Sequence, residues 1–384
     1  MTAIGPTWAR RLVCSATGVT ADIDHPTFLS PASAPWLVEY ELDAARGAAW
    51  KESLAERPWT LWRYRELLPV IDFESRVDLG EGGTPIIPLH RMRPEGIEVW
   101  LKEEGGNPTG SFKARGLSMA VNRARELGAT GVQLPSAGNA AIALAAYAAA
   151  AGLPARVAVP TDTPAEVVRR CRLHGAEVFT GGETLVESAA KLAELGGDYW
   201  NLSTLKEPYR VEGKKTMGLE LAEQFNWQLP DWIIYPTGGG TGIVGMHKAF
   251  AELEALGLLS GPRPHFAVVQ MNGCAPIVKA FEAGAKKAET WENPDTRVWG
   301  LRVPKAIGDF LILDALRETD GAAVAVAEQE VEELQARVGR EEGLLVGPEG
   351  AAALAALYWL AADGKIQAGQ RVVVFQTGHP ANYG

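Results

Sequence analysis

From about residue 130 the chain alternates short apolar runs with longer helix-patterned segments. Val132-Gln133-Leu134 predicts a buried strand, and the Ala-rich stretch from Ala140 to Ala151 predicts a helix stopped at Gly152. Arg156 to Val159 predicts a strand, Ala165 to His174 a helix, and Glu177 to Thr180 a strand. Glu183 to Leu195 then predicts a helix closed by Gly196-Gly197. The pattern continues with a strand over Asp231 to Pro236, a helix over Ile243 to Leu256 and a strand over His265 to Gln270. Two late helices, near Glu328 to Gly339 and Gly350 to Ala362, precede a last strand from Arg371 to Phe375. Such alternation predicts parallel sheets with helices on both faces. Residues 1 to about 80 break the pattern. They are rich in Pro and Trp and irregular, and Trp36, Trp50, Trp59 and Trp62 read as anchors pinning an N-terminal extension onto a larger body.

A length of 384 residues is too great for one compact core, so two domains are expected. The net charge of −10 lends no support to nucleic-acid binding or a basic membrane patch, so an anionic ligand needs a local cluster of donors. Cys14, Cys171 and Cys274 are odd in number and far apart, which suits neither a disulfide framework nor a zinc knuckle. The six His residues form no helical pair of metal ligands. Arg10 and Arg11 are followed by a run too polar and short for a signal segment, and no stretch approaches the ~20 apolar residues of a membrane span. The expectation is a soluble cytoplasmic protein without metal.

Chemistry centres on Asn107-Pro108-Thr109-Gly110-Ser111-Phe112-Lys113-Ala114-Arg115-Gly116. Lys113 falls in the first turn of a helix, where the positive end of the helix dipole disfavours a second cation. That field favours the neutral, nucleophilic amine a Schiff-base lysine needs, and Ser111 is placed to cap the helix. Thr237-Gly238-Gly239-Gly240-Thr241-Gly242, between a strand and a helix, has the makings of a phosphate cradle. Consecutive glycines let the backbone approach an anion, and the helix that follows offers unpaired N–H groups. Ser136-Ala137-Gly138-Asn139 sits in an equivalent strand–helix turn and suits a carboxylate. Gln376-Thr377-Gly378-His379 closes the last strand with a hydroxyl.

In this order the four segments resemble the fold type II, tryptophan-synthase-like pyridoxal-phosphate enzymes, and within them the threonine synthases and threonine-synthase-like proteins. The resemblance runs from Leu79-Gly80-Glu81-Gly82-Gly83-Thr84-Pro85 to Thr377. It implies that Lys113 forms the Schiff base with the cofactor and that Asn139 bonds the cofactor's phenolic oxygen. Gly238, Gly239, Gly240 and Thr241 would hold its phosphate, and Thr377 would face the pyridine nitrogen. Ser136, Ala137, Gly138 and Asn139 would receive the substrate carboxylate. Pro208-Tyr209-Arg210-Val211-Glu212-Gly213-Lys214-Lys215-Thr216 is similar to the segment whose arginine grips the substrate phosphate, which makes Arg210 the candidate for O-phosphohomoserine. Lys214 and Lys215 read as solvated surface lysines.

The implied fold is α/β, with two doubly wound three-layer domains and the cofactor in the cleft between them. Residues 1–80 would be an extension packed on the large domain, 81–116 and 209–384 the large domain, and 117–208 a small mobile domain. The implied assembly is a homodimer. Ala114 after the lysine, the Gly-Gly-Gly-Thr cradle, and Pro380-Ala381-Asn382-Tyr383 after His379 depart from the threonine synthase pattern. They keep open an ammonia-lyase acting on serine or threonine, a cysteate synthase, and a non-catalytic ligand-binding protein.

Overall fold

The computed structural model describes residues 7–24 and 28–382; Tyr383, noted above, lies outside them. Strands β1 (Ala9–Cys14), β2 (Thr20–Asp22) and β3 (Trp36–Tyr40) and helix α1 (Ala44–Ser53) build the N-terminal extension, followed by β4 (Ile86–Leu89) and β5 (Glu98–Glu103). Then come α2 (Lys113–Glu126), β6 (Gly131–Pro135), α3 (Asn139–Ala151), β7 (Ala155–Val159), α4 (Ala165–Leu173), β8 (Glu177–Thr180), α5 (Leu185–Glu194) and β9 (Tyr199–Asn201). The chain continues through α6 (Tyr209–Gln224), β10 (Trp232–Pro236), α7 (Thr241–Ala255), β11 (His265–Met271) and α8 (Pro276–Glu282). It closes with α9 (Asp309–Glu318), β12 (Ala322–Val326), α10 (Glu328–Glu342), α11 (Pro348–Ala362) and β13 (Arg371–Gln376). The strands and helices expected from residue 130 onward are all present, with ends shifted by a few residues.

The extension corrects its sequence reading. It is not irregular: β2-β1-β3 form an antiparallel sheet, with Leu12 and Val38 paired and buried on its inner face. Period-two alternation was hidden there by strands of three to six residues among turn-forming ones. Trp36, Trp50 and Trp62 are buried anchors, whereas Trp59 is 39% exposed beneath the Arg63 guanidinium. The buried face of the extension joins the same apolar core as α2, α3 and strands β6 and β7.

Two further sheets carry the α/β body. β8-β7-β6-β9 are all parallel. The larger sheet runs β12-β11-β10-β13-β5-β4, parallel except for its antiparallel edge pair β4–β5. Its central strands, such as Val372-Val373-Val374-Phe375, are continuously apolar because helices cover both faces. The last strand, β13, inserts between β10 and β5, with Gln376 opposite Glu103. The loops after β5, β10 and β13 therefore emerge side by side at the carboxyl edge of one sheet, where open α/β sheets bind ligands.

A buried ion cluster locks this edge. Arg115 of α2 donates through Nε and Nη2 to Glu104 (2.6 and 2.8 Å) and through Nη1 and Nη2 to Glu220 of α6 (2.6 and 2.8 Å). Lys102 of β5 adds a 2.8 Å bond to Glu220, and Thr84 and Asn107 bond Glu104. All four charged side chains are fully buried. Burial alone would raise the Glu220 carboxyl, but Arg115 and Lys102 hold it well below the usual carboxylate range. Glu81 forms a second buried tie, accepting from Trp62 (2.8 Å), Tyr147 of α3 (2.7 Å) and Ser118 of α2. A third joins β3 to α6 through Tyr40 and Glu212 (2.8 Å).

Glu220→Gln strands two buried cations and should destabilise the fold by about 3–5 kcal/mol in urea unfolding at pH 7. Because Glu220 is depressed on folding, its contribution is complete above the ordinary carboxylate range and lost as pH falls through and below it. Unfolding midpoints measured from about pH 6 down to about pH 2 should fall more steeply for the parent than for the variant.

Candidate active site

Lys113 opens α2, preceded by a loop that the end of β13 holds in place. The Phe112 N–H donates to the Thr377 carbonyl (3.0 Å), and the His379 N–H to the Gly110 carbonyl (2.8 Å). Thr377 and Lys113, some 260 residues apart, thus share one turn of structure. Ser111 does not serve as the expected cap. Phe112 occupies the capping position, and Ser111 Oγ receives only a long 3.4 Å bond from the Lys113 N–H. The helix start stays largely uncapped, so its partial positive charge falls on the Lys113 region as the sequence suggested.

The segment 208–216 changes most on inspection. Lys214 and Lys215, taken as solvated, are both fully buried. α6 crosses α2 so closely that a Cβ at Gly213 would lie 2.0 Å from the Arg115 carbonyl, and one at Gly116 would lie 3.0 Å from Lys214 Cε. Lys215 is neutralised by Glu212 (2.7 Å) and Glu252 (2.8 Å). Lys214 instead donates to the Phe112 carbonyl, and its ammonium lies 4.0 Å from the centroid of the Phe112 ring; Lys113 lies 4.1 Å from the same centroid. The two nitrogens are therefore within about 8 Å. If both were charged, they would repel by roughly 2 kcal/mol at an effective dielectric near 20.

Arg210 is the third cation. It is buried, its Nη1 donates to the Leu202 carbonyl (2.8 Å), and its Nε has no hydrogen-bond partner among the described residues. Glu207 stands nearby but accepts from the backbone N–H groups of Tyr209 and Arg210. Burial pushes the Glu207 carboxyl up to about 7, partly offset by Arg210. Burial and then the Arg210 charge bring the Lys113 amine down to about 7, against a smaller opposing pull from Glu349. Lys214 is driven well below its ordinary value by burial, then by Lys113 and Arg210. Among the described residues no carboxylate forms a salt bridge with Lys113, Lys214 or Arg210. Three basic side chains thus converge here, shielded from water and without a carboxylate in salt-bridge contact.

The glycine run follows β10. Gly240 adopts φ +80°, and α7 begins at Thr241 without a side-chain cap. Each glycine is also closely covered: a Cβ at Gly238 would meet the Gly300 carbonyl at 2.5 Å, at Gly239 the Thr204 methyl at 2.8 Å, and at Gly240 Ile312 Cδ1 at 2.1 Å. Gly300 in turn donates to Glu349 at the start of α11 (3.1 Å). Ser136-Ala137-Gly138 leads into α3 with Asn139 as its first residue. Gly138 donates to Ser136 Oγ (3.3 Å), and this helix too lacks a side-chain cap. Asn139 reaches the lysine loop through Asn382, whose Nδ2 lies 2.8 Å from Asn139 Oδ1 and 2.9 Å from the Gly110 carbonyl.

The structure thus links Lys113 to Thr377 and Asn139 by direct or one-residue contacts, and places Arg210 in electrostatic reach of Lys113. Thr204, beside β9, connects the glycine run to the layer that carries Ser136–Asn139. Lys214, Glu349, Thr204 and Asn382 were not singled out from sequence. A lysine one position before Lys215 on a helix flanked by glycines was the available signal for the first. The other three depend on tertiary packing.

An amine lowered to about 7 and an uncapped glycine run at the start of a helix fit pyridoxal phosphate. Comparison with known proteins agrees. The family profile described as "Pyridoxal-phosphate dependent enzyme" matches residues 77–378. The threonine synthase of Methanocaldococcus jannaschii is 34% identical over 371 residues, covering 95% of this chain and 91% of that protein. The threonine synthase of Methanosarcina acetivorans is 36% identical over 325 residues, covering 83% and 79%. Among solved structures, an L-serine ammonia-lyase from Rhizomucor miehei superposes with a TM-score of 0.67 at 22% identity, covering 78% of this chain and 96% of that one. Threonine deaminase isoform 2 from Solanum lycopersicum gives 0.65 at 23%, covering 88% and 93%. At these identities the two structures show the fold.

Three outcomes are expected. Reductive labelling of Lys113 in protein freed of cofactor should rise through about pH 7 and level off near pH 8–9, since the free base reacts. Arg210→Met should move that rise to higher pH by removing a cation that favours the neutral amine. Gly240→Ala combines a left-handed backbone with a clash against Ile312; it should lower pyridoxal phosphate affinity on the order of 100-fold, read by equilibrium dialysis.

Proposed function

We propose that this chain, which belongs to the pyridoxal-phosphate dependent enzymes and within them to the threonine synthase family, converts O-phospho-L-homoserine and water to L-threonine and phosphate. Its class is that of a pyridoxal-phosphate-dependent lyase. The observation that carries the choice of substrate is the buried, half-satisfied Arg210 guanidinium beside Lys113, distinct from the glycine cradle. A cofactor phosphate held by Gly238, Gly239, Gly240 and Thr241 leaves that second receptor for a phosphate on the substrate.

When bound, pyridoxal phosphate draws electrons from the substrate's α-carbon. The protein's own groups do the rest. Lys113 carries the cofactor, and once released it takes the proton from the α-carbon and returns protons further along the substrate. Its amine near 7 suits both directions of transfer. Backbone and side-chain donors of Ser136, Ala137, Gly138 and Asn139 orient the substrate carboxylate at the start of α3. Asn139 would also donate to the cofactor's ring oxygen. Thr377 would offer the ring nitrogen a neutral hydroxyl, a weaker electron sink than a carboxylate partner, which would favour elimination and replacement. Arg210 grips the γ-phosphate and eases its departure as a dianion.

The 117–208 segment, with the four-stranded sheet, is the part that closes over the substrate and excludes water until phosphate has left. Within the described residues no helix is long and apolar enough to cross a membrane. A cytoplasmic homodimer completes the reading.

The test assays phosphate and ammonia release in parallel from O-phosphohomoserine, threonine and serine. Phosphate release from O-phosphohomoserine, with threonine as product, is expected. Arg210→Ala should reduce kcat/KM for that substrate on the order of 100-fold, as expected for truncating a buried charged partner, while lowering any slow turnover of serine far less, through its effect on Lys113 alone. Ammonia release from serine or threonine, unaffected by the substitution, would replace this reading with an ammonia-lyase.

A further inference from the structure

The short turn Pro380–Asn382 folds back beneath the lysine loop, and its last residue does more than fill space. Asn382 is 7% exposed, and its Nδ2 faces three acceptors: the Thr109 carbonyl at 3.1 Å, the Gly110 carbonyl at 2.9 Å and Asn139 Oδ1 at 2.8 Å. On its other side, Arg170 of α4 donates from Nη1 to Asn382 Oδ1 and from Nη2 to the Thr109 carbonyl (3.2 Å). Contact with the loop is close enough that a Cβ at Gly110, which has φ +74°, would lie 2.8 Å from Asn382 Oδ1.

The polarity of this chain of amides is set from its ends. A guanidinium can only donate, and a backbone carbonyl can only accept. Asn382 must therefore turn its oxygen to Arg170 and its NH2 to the loop carbonyls. The atom of Asn139 that meets this NH2 must then be an acceptor. A flipped Asn139 would set two NH2 groups against each other and leave a buried hydrogen bond unmade.

We propose that Asn382, held by Arg170, is a positioning residue that fixes the Asn139 amide with its oxygen towards the protein and its NH2 as the face offered to the phenolic oxygen of pyridoxal phosphate. This rests on the role assigned above to Asn139. The relay spans the start of α3, the body of α4, the loop before Lys113 and the chain beyond β13, so it also sets the ring-binding amide relative to the lysine that carries the cofactor.

Asn382→Asp is the sharpest probe. The carboxylate keeps the shape and still accepts from Arg170, but it turns an acceptor towards Asn139 and the loop carbonyls and so favours the flipped amide. Holoprotein should show a pyridoxal phosphate Kd raised about tenfold, equivalent to one lost hydrogen bond. The visible band of the bound cofactor should shift in the same direction as in Asn139→Ala. Arg170→Met, further from the site, should give the same shift with a smaller loss of affinity, and it serves if Asn382→Asp does not accumulate as folded protein. The thermal midpoint of cofactor-free protein separates a purely structural role. If the Asn382 and Arg170 variants lower that midpoint yet keep parental Kd and band, while Asn139→Ala alters both, the relay is overturned and the role of Asn139 stands. If none of the three changes Kd or band, both fall.

Discussion

Everything at the reactive end of the molecule depends on one guanidinium shared by two carboxylates. Arg115 lies two residues after Lys113 on the same helix, and it binds Glu104 at the end of β5 and Glu220 in α6. Removing such a group from water costs several kcal/mol, which only its full set of donors and acceptors offsets. The geometry is thereby over-determined. α2 cannot rotate, and α6, which carries Arg210 and Lys214, cannot slide along it without breaking a buried ion contact. Glycines at positions 116 and 213 let the two backbones approach to the distance this requires.

Against that neutralised cluster stands a second set of buried cations treated the opposite way. Lys102, Arg115, Lys215 and Lys248 each face a carboxylate, whereas Lys113, Lys214 and Arg210 meet carbonyls, a ring face and one another. The difference separates scaffold from site. Paired charges specify how the helices dock, whereas burial and neighbouring cations push the unpaired amines towards their neutral forms. A net charge of −10 over the whole chain is no obstacle, since the relevant field is set within a few ångströms.

Much of this was legible in the sequence because local chemistry and local structure coincide there. The cradle glycines must lie between a strand and a helix to work, and the strand Trp232–Pro236 and the helix from Thr241 flank them. Period and punctuation likewise located β6 to α5 and the last strand. What escaped is where distant segments decide the outcome. Lys214 and Lys215 carry no mark of burial beyond the glycine beside them; the approach of α2 and α7 removes them from water. The strands of the extension are short and their partner faces lie elsewhere in the core, so the alternation in Trp36–Tyr40 does not stand out among prolines and turns. Thr204 and Asn382 sit in segments without regular pattern and gain meaning only from the glycine and the amide they touch.

The insertion of β13 between β10 and β5 carries a consequence for biosynthesis. Its partner Glu103 lies some 270 residues earlier in the chain, so a ribosome that has made only β5 and β10 leaves both with open edges at the middle of the sheet. Thr377, which steadies the lysine loop, is translated after every other strand of this sheet. Loop closure over such a span is slow relative to local folding, and the middle of the sheet stays open until its centre strand arrives. The lysine loop is thus completed only when β13 is in place, and not when its lysine is made.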